Sequence, residues 1–317
     1  MKVAIIGYKN HAGRILNIIK NDLLLHDVVV FHPDKKNDII NTNNFNDVLN
    51  TKCVFVASPN STHFYYIKKL LDKSYQGKIF CEKPPVTNIS DLNKLNSKDS
   101  LYKQLYFNFN FRKTILFNTL KDCKIGKILS VNLNLTHGLA FKESYADSWR
   151  SKSKTHDLGI LETVGIHWID LFSLLFGSVV DKKIISNNFS ENGEVFDTSD
   201  IILKHSSRSV TKIFVSYASC KYFNLVCQGT DGVLEIDSNR LIVRSPRDVF
   251  DKNGYFILPS INKKENYCYN TDYADSLFNS IKYFVDCVQQ NKEFKRKEFE
   301  NSISSNRFLL NCKKERL

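Results

Sequence analysis

An α/β fold is what the sequence predicts: a doubly wound parallel sheet in residues 1–122, then a second domain in residues 123–317 built on a large, mainly antiparallel sheet. Three observations predict it. The 317 residues are enough for two domains of ordinary size. In the first third, short apolar runs alternate with helix-length stretches. Past residue 123 the apolar runs follow one another with only tight turns between them.

Residues 2–6 (KVAII) read as a buried strand, and residues 12–20 as a helix with Ile15, Ile18 and Ile19 on one face. Residues 27–31 (DVVVF) and 53–57 (CVFVA) give the next two strands. An Asn/Ser start signal precedes a helix over residues 61–73, and strands follow at 78–81 (KIFC) and 101–107. Strands separated by ten or more helical residues pair in parallel through right-handed crossovers, and such sheets bind ligands at the carboxyl ends of their strands. In the second domain, residues 127–135 alternate as a half-exposed strand should, and residues 161–176 are apolar over a helix length. Strands are expected at 201–204, 210–219, 223–228, 233–236 and 241–244, and two helices, 273–290 and 298–313, close the chain.

Hydrophobic residues at 42% and charged residues at 25% are ordinary for a globular protein and exclude a disordered or collagenous chain. Lys and Arg number 45 against 33 Asp and Glu, a net charge of +12. The basic residues are scattered, and no helix-turn-helix, zinc or aromatic-platform pattern accompanies them, so no nucleic-acid partner is expected. The charge reads instead as a general residue-usage bias together with attraction for anionic small molecules. Eight cysteines include no C-x-x-C pair and no zinc spacing, and Cys53 and Cys81 sit in apolar runs as buried thiols; no metal is expected. The apolar run near the N-terminus is too short for a secretory signal. The longest apolar window, residues 164–180, is broken by His167 and Asp170, so no membrane span is expected. The expected location is cytoplasmic.

Residues 3–14 (VAIIGYKNHAGR) stand where a dinucleotide fingerprint would, between the first strand and first helix. Gly7 fits the first glycine. Lys9 and Ala12 occupy the second and third places, and Gly13 comes one residue late, so the motif alone fits an ordinary strand–turn–helix as well. The second strand ends at His32, where a carboxylate would hold a free ribose 2′-OH; Lys35 or Lys36 could pair with a 2′-phosphate, and Asp34 with a ribose. Ser58, Pro59 and Asn60 follow the third strand, with His63 close behind. Cys81-Glu82-Lys83-Pro84-Pro85 follows the fourth strand at once, a sequence that packing does not explain. Phe107–Arg112 (FNFNFR), Ser148-Trp149-Arg150 and residues 159–171 (GILETVGIHWIDL) come next, with His167 and Asp170 three apart on a helix. A lone histidine on an apolar helix is more often a core residue than a catalytic one.

This ordered set resembles the Gfo/Idh/MocA oxidoreductases over nearly the whole length. The resemblance implies a Rossmann domain, NAD or NADP as cofactor (the missing carboxylate near His32 favouring NADP), a sugar-type substrate, and a homodimer or homotetramer formed through the C-terminal sheet. It implies cofactor contacts from Gly7, Tyr8, Lys9, Asn10, Gly13, His32, Ser58, Pro59, Asn60, His63, Glu82, Lys83 and Pro84. Lys83 and His167 take the catalytic places, and Asn110, Arg112, Trp149, Arg150 and Thr163 the substrate side. Family members often carry an Asp four residues before the histidine; Thr163 stands there and cannot supply its charge. The implied reaction is hydride transfer at a sugar, polyol or nucleotide-linked sugar, with His167 as proton shuttle and Lys83 as electrostatic stabiliser. The alternative is a degenerate dinucleotide or sugar sensor.

Overall fold

The structure, a computed structural model, describes residues 1–34, 39–98, 100–153, 157–245 and 250–316. The chain divides into two compact units, Met1–Asn110 with Ser276–Leu317, and Phe111–Asp275.

The first unit contains β1 (Val3–Ile6), α1 (Asn10–Asn17), β2 (Val28–Phe31), α2 (Phe45–Leu49), β3 (Cys53–Val56), α3 (His63–Asp72), β4 (Lys78–Glu82), α4 (Ile89–Asn96) and β5 (Leu105–Asn108). Among the described residues its strands form one parallel sheet in the order β2-β1-β3-β4-β5. β1, β2, β3 and β5 are buried along their whole length, as helices on both faces require, and hence read as unbroken apolar runs. From β1 the chain passes to β2 on one side and returns to β3 on the other, so the carboxyl ends of β1 and β3 form a topological switch point.

The second unit holds α5 (Ile115–Asp122), β6 (Ile128–Thr136), α6 (Ile166–Phe176), β7 (Val179–Asn187), β8 (Thr198–His205), β9 (Val210–Ser216), β10 (Tyr222–Gly229), β11 (Val233–Asp237), β12 (Arg240–Arg244) and β13 (Ile261–Asn266). Its described strands form an eight-stranded sheet, β13-β12-β11-β10-β6-β9-β8-β7, antiparallel throughout except for the β6–β9 pair. Buried and exposed positions alternate along β8 and β10, the mark of a sheet with one covered face.

The last helices are α7 (Tyr269–Gln289) and α8 (Arg296–Arg316). A single boundary at residue 122 leaves both with the second domain, whereas the compact division returns residues 276–317 to the first unit and gives α5 to the second. The reason lies in packing. Leu277, Ile281 and Phe284 join the core of the parallel sheet, and the Phe284 ring lies 5.0 Å from Phe55 and 5.4 Å from Phe80. Helical periodicity tells that a face is buried, not which sheet buries it. The N-terminal amides of α5, from Ile115 and Leu116, donate to the Asp272 carboxylate at 2.7 and 3.0 Å.

Three local expectations change. The first helix starts at Asn10 and ends in a π-helical turn, Ile18–Asp22. The fifth strand starts at Leu105, because residues 101–103 form a 3₁₀ turn and the Gln104 amide is tied to the Tyr75 and Gly77 carbonyls. β7 and β13 carry no apolar run: β7 is a half-exposed strand with alternating polar residues, and all six residues of β13 are exposed. Among the described residues no helix is long and apolar enough to cross a membrane.

Candidate cofactor and catalytic site

Gly7 ends β1 at a backbone φ of +119°, which only glycine adopts without strain. A Cβ there would stand 2.7 Å from the Ala57 carbonyl oxygen and 3.1 Å from Ser58 N, so the turn closes against the end of β3. α1 follows with no acidic residue in its first turn, and its N-cap residue, Lys9, makes no side-chain cap. By contrast, Asn88 caps α4 and Thr114 caps α5 through side-chain oxygens. An uncapped helix start after a glycine turn at a switch point suits the diphosphate of a dinucleotide. The first fingerprint glycine is therefore a steric necessity. Gly13 is not: it lies inside α1, and a Cβ on it would meet open space.

Around the β3 and β4 ends, main-chain turns are held by buried polar side chains. His63 is fully buried, with Nδ1 2.9 Å from the Pro84 carbonyl and Nε2 3.0 Å from the Ser58 carbonyl. Both ring nitrogens face carbonyls, to one of which the neutral imidazole donates, and the expected cofactor contact gives way to a ring seated between the S-P-N turn and the E-K-P turn. Burial pushes the His63 imidazole below its ordinary range, against the pull of the Pro84 carbonyl. The Ser58 hydroxyl accepts from Thr62 at 2.7 Å. Lys83–Pro84 is a cis peptide, and Lys83 itself is half-buried. From α8, Asn306 accepts from Val86 N at 2.8 Å and donates to Val86 O at 3.1 Å, pinning the far end of the same turn.

Glu82 is 9% exposed, with Oε1 2.7 Å from His11 Nε2 and accepting from Asn108 Nδ2 at 2.7 Å. Burial pushes its carboxyl up, but the charge of His11 and the Asn108 hydrogen bond outweigh that and hold it below the ordinary range. Tyr8 and His32 meet edge to face at 4.7 Å, and His32 Nδ1 accepts from Asp34 N at 3.2 Å. Lys35 and Lys36 lie outside the described residues. Asn110 donates to the Ser276 hydroxyl at 2.6 Å.

In the second unit, His167 sits in the first turn of α6, after a π-helical turn at Leu161–Gly165. Its ring stacks on Phe111 at 4.6 Å and 19°, leaving the residue 8% exposed. Three residues on, Asp170 accepts from Arg112 Nε at 2.7 Å and Nη2 at 2.5 Å, both side chains being 1% exposed. Arg112, expected to face substrate, is instead consumed by a buried bidentate pair. The Thr163 hydroxyl lies 2.9 Å from the Tyr217 hydroxyl, and burial pushes the Tyr217 phenol up against the opposing effects of Thr163 and Arg150. The Arg150 guanidinium stacks over the exposed ring of Trp149 at 4.1 Å. The His137 ring lies 4.9 Å from that of Tyr217; burial holds its imidazole below the ordinary range, and the charges of Arg150, Lys142 and Lys221 add to this.

Sequence reasoning thus missed His11, Asn108, Asn306, His137 and Tyr217. His11 lies in the fingerprint segment and Asn108 in the FNFNFR segment; Asn306, His137 and Tyr217 lie in stretches with no such signal.

A family model described as an oxidoreductase family with an NAD-binding Rossmann fold matches residues 1–100, and one described as the GFO/IDH/MocA C-terminal domain matches residues 118–235. Over 180 residues the chain is 29% identical to glucose-6-phosphate 3-dehydrogenase of Bacillus subtilis (strain 168), covering 53% of this chain and 50% of that protein. The chain therefore spans about half the length of the curated relative it matches. Among solved structures, an oxidoreductase from Thermotoga maritima superposes with a TM-score of 0.76 at 18% identity, covering 98% of this chain and 95% of that one. An oxidoreductase from Agrobacterium radiobacter in complex with NAD+, L-tartaric acid and magnesium gives 0.73 at 16%, covering 96% and 93%. Levoglucosan dehydrogenase in complex with NADH and levoglucosan gives 0.73 at 14%, covering 99% and 97%. These structural likenesses establish the fold.

Proposed function

Because this chain belongs to the Gfo/Idh/MocA family of oxidoreductases, we propose that it is an NAD(P)-dependent dehydrogenase acting on a CH–OH group of a sugar, polyol or nucleotide-linked sugar. The observation that carries this reading is the E-K-P turn. A half-buried lysine follows a parallel strand directly, on a turn pinned by His63, Asn306 and the Glu82–Asn108 bond. Such investment in one exposed-type side chain is what a site needs to hold a charge still.

Gly7, Tyr8, Lys9 and Asn10 with the start of α1 would hold the diphosphate, and Ser58, Pro59, Asn60, Glu82 and Lys83 the nicotinamide half. A bound nicotinamide dinucleotide supplies the hydride acceptor or donor. Around it, His167 takes the proton of the substrate hydroxyl while the Lys83 ammonium stabilises negative charge building on that oxygen. Loss of one hydride from carbon and one proton from oxygen leaves a carbonyl, and the same groups serve the reverse direction. At the position where family members often carry an Asp, Thr163 offers a neutral hydroxyl linked to Tyr217.

Arg150, Lys142 and Lys221 within electrostatic reach of His137 favour an anionic sugar, phosphorylated or nucleotide-linked. The place in metabolism that fits this class is surface-polysaccharide or amino-sugar synthesis. His32, standing where a ribose-binding carboxylate would be, favours NADP. The test is mass detection of the cofactor that copurifies, followed by turnover of neutral and phosphorylated or nucleotide-linked sugars with each dinucleotide. The expected outcome is reduction or oxidation of the nicotinamide with preference for anionic sugars. Turnover confined to neutral polyols would remove the anionic class. Tight dinucleotide binding with no turnover across the panel would favour the sensor, which Lys9 and Thr163 in place of the family residues also suit.

The uncovered face of the eight-stranded sheet is proposed to meet a second copy of the chain. Ile185, Ile202 and Tyr222 lie on that face and are 51%, 40% and 53% exposed, among Lys183, Lys204 and Lys212. Light scattering at micromolar concentration should give a dimer or tetramer mass, and a monomer mass at every concentration would overturn it.

A further inference from the structure

His11 is the second residue of α1, inside the segment where fingerprint glycines would stand. It is half-exposed, and its Nε2 lies 2.7 Å from Glu82 Oε1. Behind Glu82 runs a buried relay of polar groups: Asn108 donates to Glu82 at 2.7 Å and accepts from Ser280 Oγ at 2.7 Å, and Ser280 Oγ lies 2.9 Å from the Tyr106 hydroxyl. The relay engages the same carboxylate oxygen, Oε1, that His11 meets, so the core-side amide and the imidazole share one acceptor atom. A buried carboxylate needs a counter-charge.

The other charges that reach His11 are Arg14, on its own helix, and Lys83, on the turn after β4; both oppose its protonation, as does burial. His63 reaches Glu82 as well. The attraction of Glu82 exceeds these and raises the proton affinity of His11 above the ordinary histidine range. The contact joins the start of α1 to the residue immediately before Lys83.

We propose that His11 and Glu82 form a proton-dependent clamp between the fingerprint segment and the E-K-P turn, and that protonated His11 is the form that captures the cofactor. This rests on the dinucleotide-binding reading above. In its cationic form His11 adds positive charge to a helix start that has no acidic residue and no side-chain cap. It also holds Glu82, and with it the turn carrying Lys83. An anionic diphosphate favours the same form, so capture takes up a proton wherever free His11 is partly neutral. The sign follows. A histidine with a raised pKa keeps its proton on the acid side and loses it as pH rises through that value. The clamp is therefore closed at lower pH and released at higher pH, and affinity falls as pH rises.

Dissociation constants for NADH and NADPH are measured by nicotinamide fluorescence on the full chain from about pH 6 to about pH 9, for wild type, His11→Asn and Glu82→Gln. NMR follows the His11 ring titration in the dinucleotide-free protein. Wild-type affinity is expected to fall about tenfold across the range, the scale of ordinary linked equilibria, and His11→Asn to flatten the profile. Glu82→Gln should move the His11 titration to lower pH. A slope retained in His11→Asn overturns the clamp, and so does a ring titration that Glu82→Gln leaves in place. If wild type binds a dinucleotide with pH-independent affinity, the clamp alone falls. If it binds none at any pH, the dinucleotide reading falls and takes the clamp with it.

Discussion

Lys83→Met is expected to lower turnover by about a hundredfold or more, and His167→Ala by a similar factor, because in the proposed reaction the lysine stabilises charge on the substrate oxygen and the histidine takes its proton. The two variants should differ elsewhere. The Lys83 turn is held by main-chain and buried contacts that do not involve the lysine side chain: His63 on the Pro84 carbonyl, Asn306 on Val86, and Asn108 on Glu82. Those contacts persist in Lys83→Met, which should therefore lose far more rate than stability. His167 stacks on Phe111 with 8% exposure, so truncation also opens space in the core of the second unit. His167→Asn, closer in polarity and size, separates the two effects by restoring packing but not proton transfer. Steady-state turnover together with thermal unfolding checks both. Near-normal rates in Lys83→Met and His167→Asn alike would refute the assignment of these roles.

The largest stability effect is expected at Arg112 and Asp170. Both side chains are 1% exposed and joined by two hydrogen bonds. Removing one partner breaks a bidentate ion pair at 1% exposure, and breaking a buried pair costs about 3–5 kcal/mol. Arg112→Met and Asp170→Asn should each show that loss in urea unfolding. The double change Arg112→Met with Asp170→Leu should recover most of it, since an apolar pair carries no desolvation cost. Singles that lose less than about 1 kcal/mol would mean that water reaches the pair. Because Asp170 follows His167 by three residues on α6, the bond also fixes the rotation of that helix. Turnover of Asp170→Asn, measured below its melting temperature, is expected to drop for that reason even where the fold persists.

Several features of the site were legible in residue order alone. Gly7 announces a turn that no other residue fits, and Glu82-Lys83-Pro84 after an apolar strand has no packing rationale. His63 and Arg112 belong to motifs that suggest ligand contact, yet the structure sets His63 between two carbonyls and pairs Arg112 with Asp170. A motif names a neighbourhood, but burial decides which of its members keep a free polar atom.

The sequence by itself determined the parallel first sheet and the second, mainly antiparallel sheet, because apolar periodicity and turn residues are local properties; β7, β13 and the strand order that makes the switch point came only with the structure. Only the tertiary structure decided that α7 and α8 pack with the first sheet, that Asn306 pins the turn after Pro84, and that His11 meets Glu82. Those contacts join residues 71 to 229 positions apart. Their energy comes from burial and charge pairing, which depend on where the chain is in space, and no local pattern encodes which distant partner will arrive.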